Sequence, residues 1–294
     1  MMQRSFFIGL LLIMSACDSS DFSVLDNQYA VELTLVADEP LPQARVSMLA
    51  PTDQPTEFKD VAVTNAVVVL RTGSTDLLLE SVIAAPGMYE YLGEEHLVEP
   101  GGTYTITITI PGLSTPITGV THVPSSVEII TASRESGTYL SDERLILIVL
   151  PGVANDQNQS FFTLVTESLD ATMASAVPTV LDFLDDDDFT IEDFIISGSP
   201  IINEGNFIKF SDNTIELAYP WIGVNFFGRN IIYVNSLDNN MRDFVRSIEQ
   251  QQGGDGAFGP GVIPNALPTL SGAHGLFGSI ARDSVRFTVL PPTN

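Results

Sequence analysis

Apolar and polar residues alternate with a period of two along much of the chain. Between residues 29 and 37, Val31, Leu33 and Leu35 alternate with Glu32 and Thr34, the pattern of a strand buried on one face. Residues 103–110 are the clearest case. Tyr104, Ile106, Ile108 and Ile110 fall on one side and Thr103, Thr105, Thr107 and Thr109 on the other, directly after the turn residues Pro100-Gly101-Gly102. Further strands are predicted over 45–49, 65–70, 77–83 and 88–92, the last two separated by Pro86-Gly87.

Beyond Pro124 the same signals continue over 127–132, 145–150, 160–166, 231–234 and 285–289. Residues 207–210 and 215–218 form a predicted hairpin, because Ser211-Asp212-Asn213 between them is turn chemistry. One stretch changes period. Met241, Phe244, Val245 and Ile248 stand at i, i+3, i+4 and i+7, so a helix is expected near residues 238–252, capped by Asp238 at its start and Gly253 at its end. Residues 134–205 carry no motif. The expected fold is mainly β: an N-terminal sandwich of immunoglobulin or prealbumin type over 29–124, then a β-rich domain with one amphipathic helix over 125–294.

The first residues change the picture of where the chain works. One positive charge at Arg4 precedes an apolar run over 6–14 that is too short to span a bilayer, which reads as an export signal. The run ends in Met14-Ser15-Ala16-Cys17, which resembles the lipobox of bacterial lipoproteins: residues 1–16 are expected to be removed and Cys17, the only cysteine, to carry lipid. An ordinary secretory signal beside an unrelated cysteine is the alternative. Residues 17–28 then form a polar tether, and an acylated Cys17 leaves no thiol for a disulfide or a metal site.

Charge narrows the partners. The chain holds 12 Lys and Arg against 37 Asp and Glu, a net charge of −25, and Lys59 and Lys209 are its only lysines. Binding to nucleic acid or to an anionic membrane surface is thereby disfavoured, and self-repulsion keeps such a surface soluble.

No constellation for catalysis is legible. His96, His122 and His274 lie far apart and show no metal-ligand spacing, and no Gly-x-Ser-x-Gly elbow is present. Asp185, Asp186, Asp187 and Asp188, followed by Glu192 and Asp193, repel one another; Ca²⁺ would relieve them, although the spacing is not that of an EF-hand. Gly253, Gly254, Asp255 and Gly256 open a glycine-rich loop that lacks a P-loop lysine and is expected to contact a partner or ligand. Trp221, next to Tyr219 and Pro220, reads either as a core residue or as a platform for stacking a sugar. Paired carboxylates from distant positions would serve glycoside hydrolysis.

The lipobox, the Asn65-Ala66 strand, Gly87-Met88-Tyr89, Pro100-Gly101-Gly102-Thr103-Tyr104, the helix near Phe244 and the closing run over 265–278 occur in this order. Together they resemble the domain-of-unknown-function lipoproteins of Bacteroidota that accompany TonB-dependent outer-membrane receptors. The N-terminal part also resembles carboxypeptidase-regulatory-like sandwich modules. The resemblance implies an outer-membrane lipoprotein that is not an enzyme, takes no cofactor, and assists such a receptor; a structural or adhesive surface module and a surface hydrolase are the alternatives. It supplies no catalytic residues.

Overall fold

The computed structural model describes residues 28–50, 56–153, 160–184, 189–203, 206–252 and 268–292, with residues 248–252 as backbone alone. Cys17, Asp185 to Asp188 and Gly253 to Gly256 lie outside the described residues.

Strand dominates, as the alternation predicts. The first part of the chain contributes β1 (Tyr29–Val36), β2 (Ala44–Met48), the short helix α1 (Phe58–Val61), β3 (Val67–Thr72), β4 (Thr75–Ser81), β5 (Met88–Tyr91), β6 (Thr103–Thr109) and β7 (Ile117–His122). Then come β8 (Glu128–Ala132), β9 (Ser136–Thr138), β10 (Ile146–Leu150), β11 (Phe162–Ser168), helix α2 (Pro178–Leu184), β12 (Ile196–Gly198), β13 (Ile208–Lys209), β14 (Ile215–Ala218) and β15 (Gly228–Leu237). Helix α3 (Asn239–Gln252), β16 (Leu270–Ser271) and β17 (His274–Leu290) complete the series.

The large mixed sheet runs β12-β11-β15-β17-β1-β2-β5-β4-β3-β6-β7-β16, with β9 added beside β17. A smaller sheet, β13-β14-β10-β8, packs against it. Burial follows the predicted faces: Tyr104, Ile106 and Ile108 of β6 and Val31, Leu33 and Leu35 of β1 are all in the core. The predicted hairpin forms too, with Ile208 opposite Glu216 and Asn213 in the left-handed region that its turn needs.

Two strands depart from the sequence pattern, and each has a physical reason. β7 buries Ile117, Gly119 and Thr121 while Val120 faces outward, so its apolar alternation is inverted. Gly119 leaves room for Leu270 and Phe277, whose side-chain carbons an added Cβ would meet at 2.9–3.0 Å. Thr121 is buried because its hydroxyl is hydrogen bonded.

β17 is 17 residues long, where the alternation predicts only residues 285–289. Its first half pairs in parallel with β1, from Ala30 opposite His274 to Val36 opposite Ile280. Its second half pairs antiparallel with β15, from Leu237 opposite Ile280 to Gly228 opposite Val289. The range 125–294 therefore supplies strands to the sheets of both halves. At about 3.3 Å per residue β17 is a spine of about 55 Å. The described chain begins at one end of this spine, since Ala30 lies beside His274.

Helix α3 sits where the two halves meet. Met241 and Val245, two of the four positions of the stripe expected from the helical period, pack with Ile280 against Phe161, Ile201 and Leu237. Arg242 adds a guanidinium 4.8 Å above the Phe161 ring.

Candidate functional site

Three connections gather at the far end of the spine, where β17 finishes at Leu290 and β15 begins at Gly228. Residues 139–145 leave β9, whose Thr138 lies beside Leu290. Residues 219–227 lead from β14 into β15. Residues 169–195 link β11, whose Ser168 is opposite Asn230, to β12. The strand ends dictate this clustering, so the distal face is fixed by sheet register.

Trp221 is the hub of these connections. It is 8% exposed, its Nε1–H donates to the Ser141 carbonyl at 2.8 Å, and its ring lies 6.0 Å from Tyr139 and 6.2 Å from Phe287. The structure thus places Trp221 in the core, with its N–H satisfied. Tyr219 lies beside it, also buried. Burial pushes its phenol up to about 12 against the opposing hydrogen bond with Thr166.

The longest connection is pinned at several points. Asp170 accepts hydrogen bonds from Arg229 at Nη2 (2.6 Å), at Nε (3.0 Å) and at the backbone N–H (2.9 Å). The Arg229 side chain first, and then its backbone N–H, hold the Asp170 carboxyl down at about 2. Asn225 donates its side-chain amide to the Phe194 carbonyl at 2.9 Å, and its own carbonyl accepts from Val177 N–H. Asp193 accepts from both Thr190 N–H and Thr190 hydroxyl, which lower its pKa and close the turn after α2.

This face presents large apolar side chains to solvent among its charged ones. Ile222 is 88% exposed and Leu140, held at φ +60°, is 68% exposed. Leu169, Met173, Phe183 and Phe189 add to it. A left-handed leucine costs about 1–2 kcal/mol relative to the right-handed form, so the local turn is imposed by its surroundings. Residues 134–205 carry no sequence motif, and this face is not legible in the sequence because its exposed apolar side chains are spread over short helices and connecting turns that share no single period.

The other candidates are scattered. His96 Nε2 lies 3.1 Å from the Tyr104 hydroxyl and His122 Nδ1 lies 3.0 Å from the Thr103 hydroxyl. These contacts sit on opposite faces of β6, and His274 begins β17. Among the described residues there is no group of three or more His, Cys, Asp or Glu able to hold a metal. A cleft of about 300 Å³ is lined by Ser199, Pro200, Ile201, Ile202, Leu217 and Pro220 together with Asn206 and Ala218. It is mostly apolar, and the Ser199 hydroxyl is already used, accepting from Leu164 N–H and donating to the Pro200 carbonyl. No helix among the described residues is long and apolar enough to cross a membrane.

Comparison with known proteins gives a family and little else. No curated protein matches. Among solved structures, an Escherichia coli alpha-2-macroglobulin activated by porcine elastase is similar at 8% identity and a TM-score of 0.25, over 89% of this chain and 22% of that one. A likeness at that score carries no argument about fold or activity. The sequence profile described as a domain of unknown function (DUF4249) matches residues 21–285, and the chain belongs to that family.

Proposed function

We propose that the protein is a lipid-anchored, non-enzymatic component of the bacterial outer membrane that assists a TonB-dependent receptor in capturing or admitting a ligand. The observation that carries the reading is the Met14-Ser15-Ala16-Cys17 segment behind a short apolar run. The fold is compatible with such an anchor: β1 starts at one end of the β17 spine, and the connections that carry Leu140, Ile222, Phe183 and Phe189 lie at the other. Anchoring at Cys17 would confine the molecule to two dimensions and raise its effective concentration beside a membrane receptor.

Two measurements test this. Metabolic labelling with a clickable fatty acid should mark the wild-type protein and not Cys17→Ser, which should leave the membrane fraction. Gentle detergent extraction followed by capture on a C-terminal tag should recover a TonB-dependent receptor in near-stoichiometric amount. Recovery of the labelled chain alone would overturn the receptor assignment, and absence of label on the wild type would overturn the anchor.

A further inference from the structure

Phe183, Phe189 and Phe194 form a three-ring cluster on the distal face, with the centroids of every pair 5.9 Å apart. Stacking has not removed them from water: Phe183 is 53% exposed and Phe189 43%. Rings left half in solvent at one end of a molecule are a feature of contact surfaces. Their faces also have a particular partner in mind chemically, because a ring face carries negative quadrupole and attracts a cation.

This chain uses that attraction elsewhere from within. Arg45 sits 3.9 Å above the Phe58 ring, and Arg242 and Arg246 lie above Phe161. Among the described residues no arginine or lysine covers the three-ring cluster. The Arg229 guanidinium on the same face is engaged by Asp170.

Charge points the same way. The 64 residues between Arg144 and Lys209 contain 11 Asp and Glu and no Lys, Arg or His, a local charge of −11. Asp182 directly precedes Phe183, and Glu192 lies two residues before Phe194; both are exposed, and neither carboxylate has a cationic partner among the described residues. An anionic partner is repelled here. A cationic one finds rings and carboxylates side by side.

We propose that the Phe183–Phe189–Phe194 cluster docks an arginine- or lysine-bearing segment of a partner protein. The guanidinium or ammonium groups seat over the rings and pair with Asp182 and Glu192. The inference supplies the partner chemistry missing from the anchored-accessory reading, yet it rests on the distal face alone. A test in detergent solution separates the two, since loss of receptor association would leave it untouched.

The probe is a fluorescein-labelled twelve-residue peptide of alternating Arg and Ser, with a Glu and Ser peptide as counterpart. Anisotropy is read against the detergent-solubilised full-length protein at low and high salt. The Arg peptide is expected to bind and to weaken as salt rises, while the Glu peptide does not bind. Phe183→Leu with Phe189→Leu keeps apolar bulk and removes the rings, and is expected to weaken binding at least tenfold; Phe183→Tyr with Phe189→Tyr restores it. Asp182→Asn with Glu192→Gln is expected to weaken binding and flatten its salt dependence, whereas Glu80→Gln with Glu94→Gln in the first half leaves it unchanged. An unchanged thermal midpoint shows that each variant is folded. Equal binding by the leucine variant, equal binding of the Glu peptide, or no binding of the Arg peptide at millimolar protein would each overturn the proposal.

Discussion

Removing the carboxylate of Asp238 tests whether α3 is held at the junction by this one buried group. Asp238 is 2% exposed, and it joins three elements. Its Oδ1 accepts from Met241 N–H at 2.7 Å, capping the helix, and its Oδ2 accepts from the Thr121 hydroxyl of β7. Its own N–H donates to the Ser279 carbonyl of β17, and the hydroxyls of Thr121 and Ser279 lie 2.7 Å apart. Loss of a cap costs about 1 kcal/mol. Loss of a hydrogen bond to a charged group costs about 1.5–3 kcal/mol. Relief from burying a charge offsets part of both, so Asp238→Ala is expected to lose about 2 kcal/mol net. In a domain of this size that lowers the thermal midpoint by roughly 4–8 °C in differential scanning calorimetry.

The pH dependence gives an independent handle on the same residue. Burial pushes the Asp238 carboxyl above the ordinary carboxylate range, against the hydrogen bonds from Thr121, Met241 and Ser279 that pull it down. A folded-state pKa above the unfolded value means that the folded protein holds the proton more tightly. Stability contributed by this group is therefore full below the unfolded value of about 4 and is lost as pH rises through the folded pKa. Asp238→Asn keeps an acceptor for Met241 and has an amide to give to Thr121. It should stay within about 1 kcal/mol of the parent and lack that slope. An Asp238→Ala protein that melts with the parent, or an Asn variant that falls as far as Ala, would refute the reasoning.

Gly275 stands at φ +104° with an added Cβ only 2.1 Å from the Val31 carbonyl oxygen, so Gly275→Ala should cost on the order of 3 kcal/mol or more in urea denaturation by breaking the β1–β17 pairing. Leu140→Gly should raise stability by roughly 0.5 kcal/mol, because about 1–2 kcal/mol of left-handed strain is released against the glycine's added unfolded-state entropy, and Leu140→Val should lower it. Asp170 should titrate at about 2 in carboxyl-detected NMR and rise in Arg229→Gln, while staying below the ordinary carboxylate range because the backbone N–H of residue 229 still donates to it. A depressed folded pKa places that contribution above the unfolded value, and it is lost as pH falls from about 4 toward 2.

What could be read from the sequence was what period and turn chemistry encode. β6 shows every core position of its face as Tyr or Ile, and α3 shows its cap and its stripe. β7 could not be read, because its buried positions are a glycine admitting Phe277 and a threonine serving Asp238, and both look polar or neutral in isolation. β17 was foreshortened for a related reason. It changes partner at Ile280, and Asp283 within it is spent accepting from Ile129 N–H of β8, so no single alternation runs through it. The distal face was hidden more deeply. Phe183, Phe189 and Phe194 are spaced by six and five residues across a turn, a spacing that belongs to no regular element, and only the fold brings the rings together.

The spine also sets a limit on where that face can act. Lipid at Cys17, as proposed, leaves residues 18–28 to reach the start of β1, and 11 residues span at most about 40 Å even when fully extended. Adding the roughly 55 Å of β17 places the distal connections no more than about 95 Å from the membrane surface. Any segment that docks on Phe183 and Phe189 must therefore be carried within that shell. A loop of a protein embedded in the same membrane meets the condition at every moment, whereas a soluble protein meets it only on encounter. The strongly negative surface matters here as well. With a net charge of −25, and 11 acidic residues with no basic one between Arg144 and Lys209, the protein repels an anionic membrane surface, which favours orientations with the distal end held away from the membrane rather than lying on it.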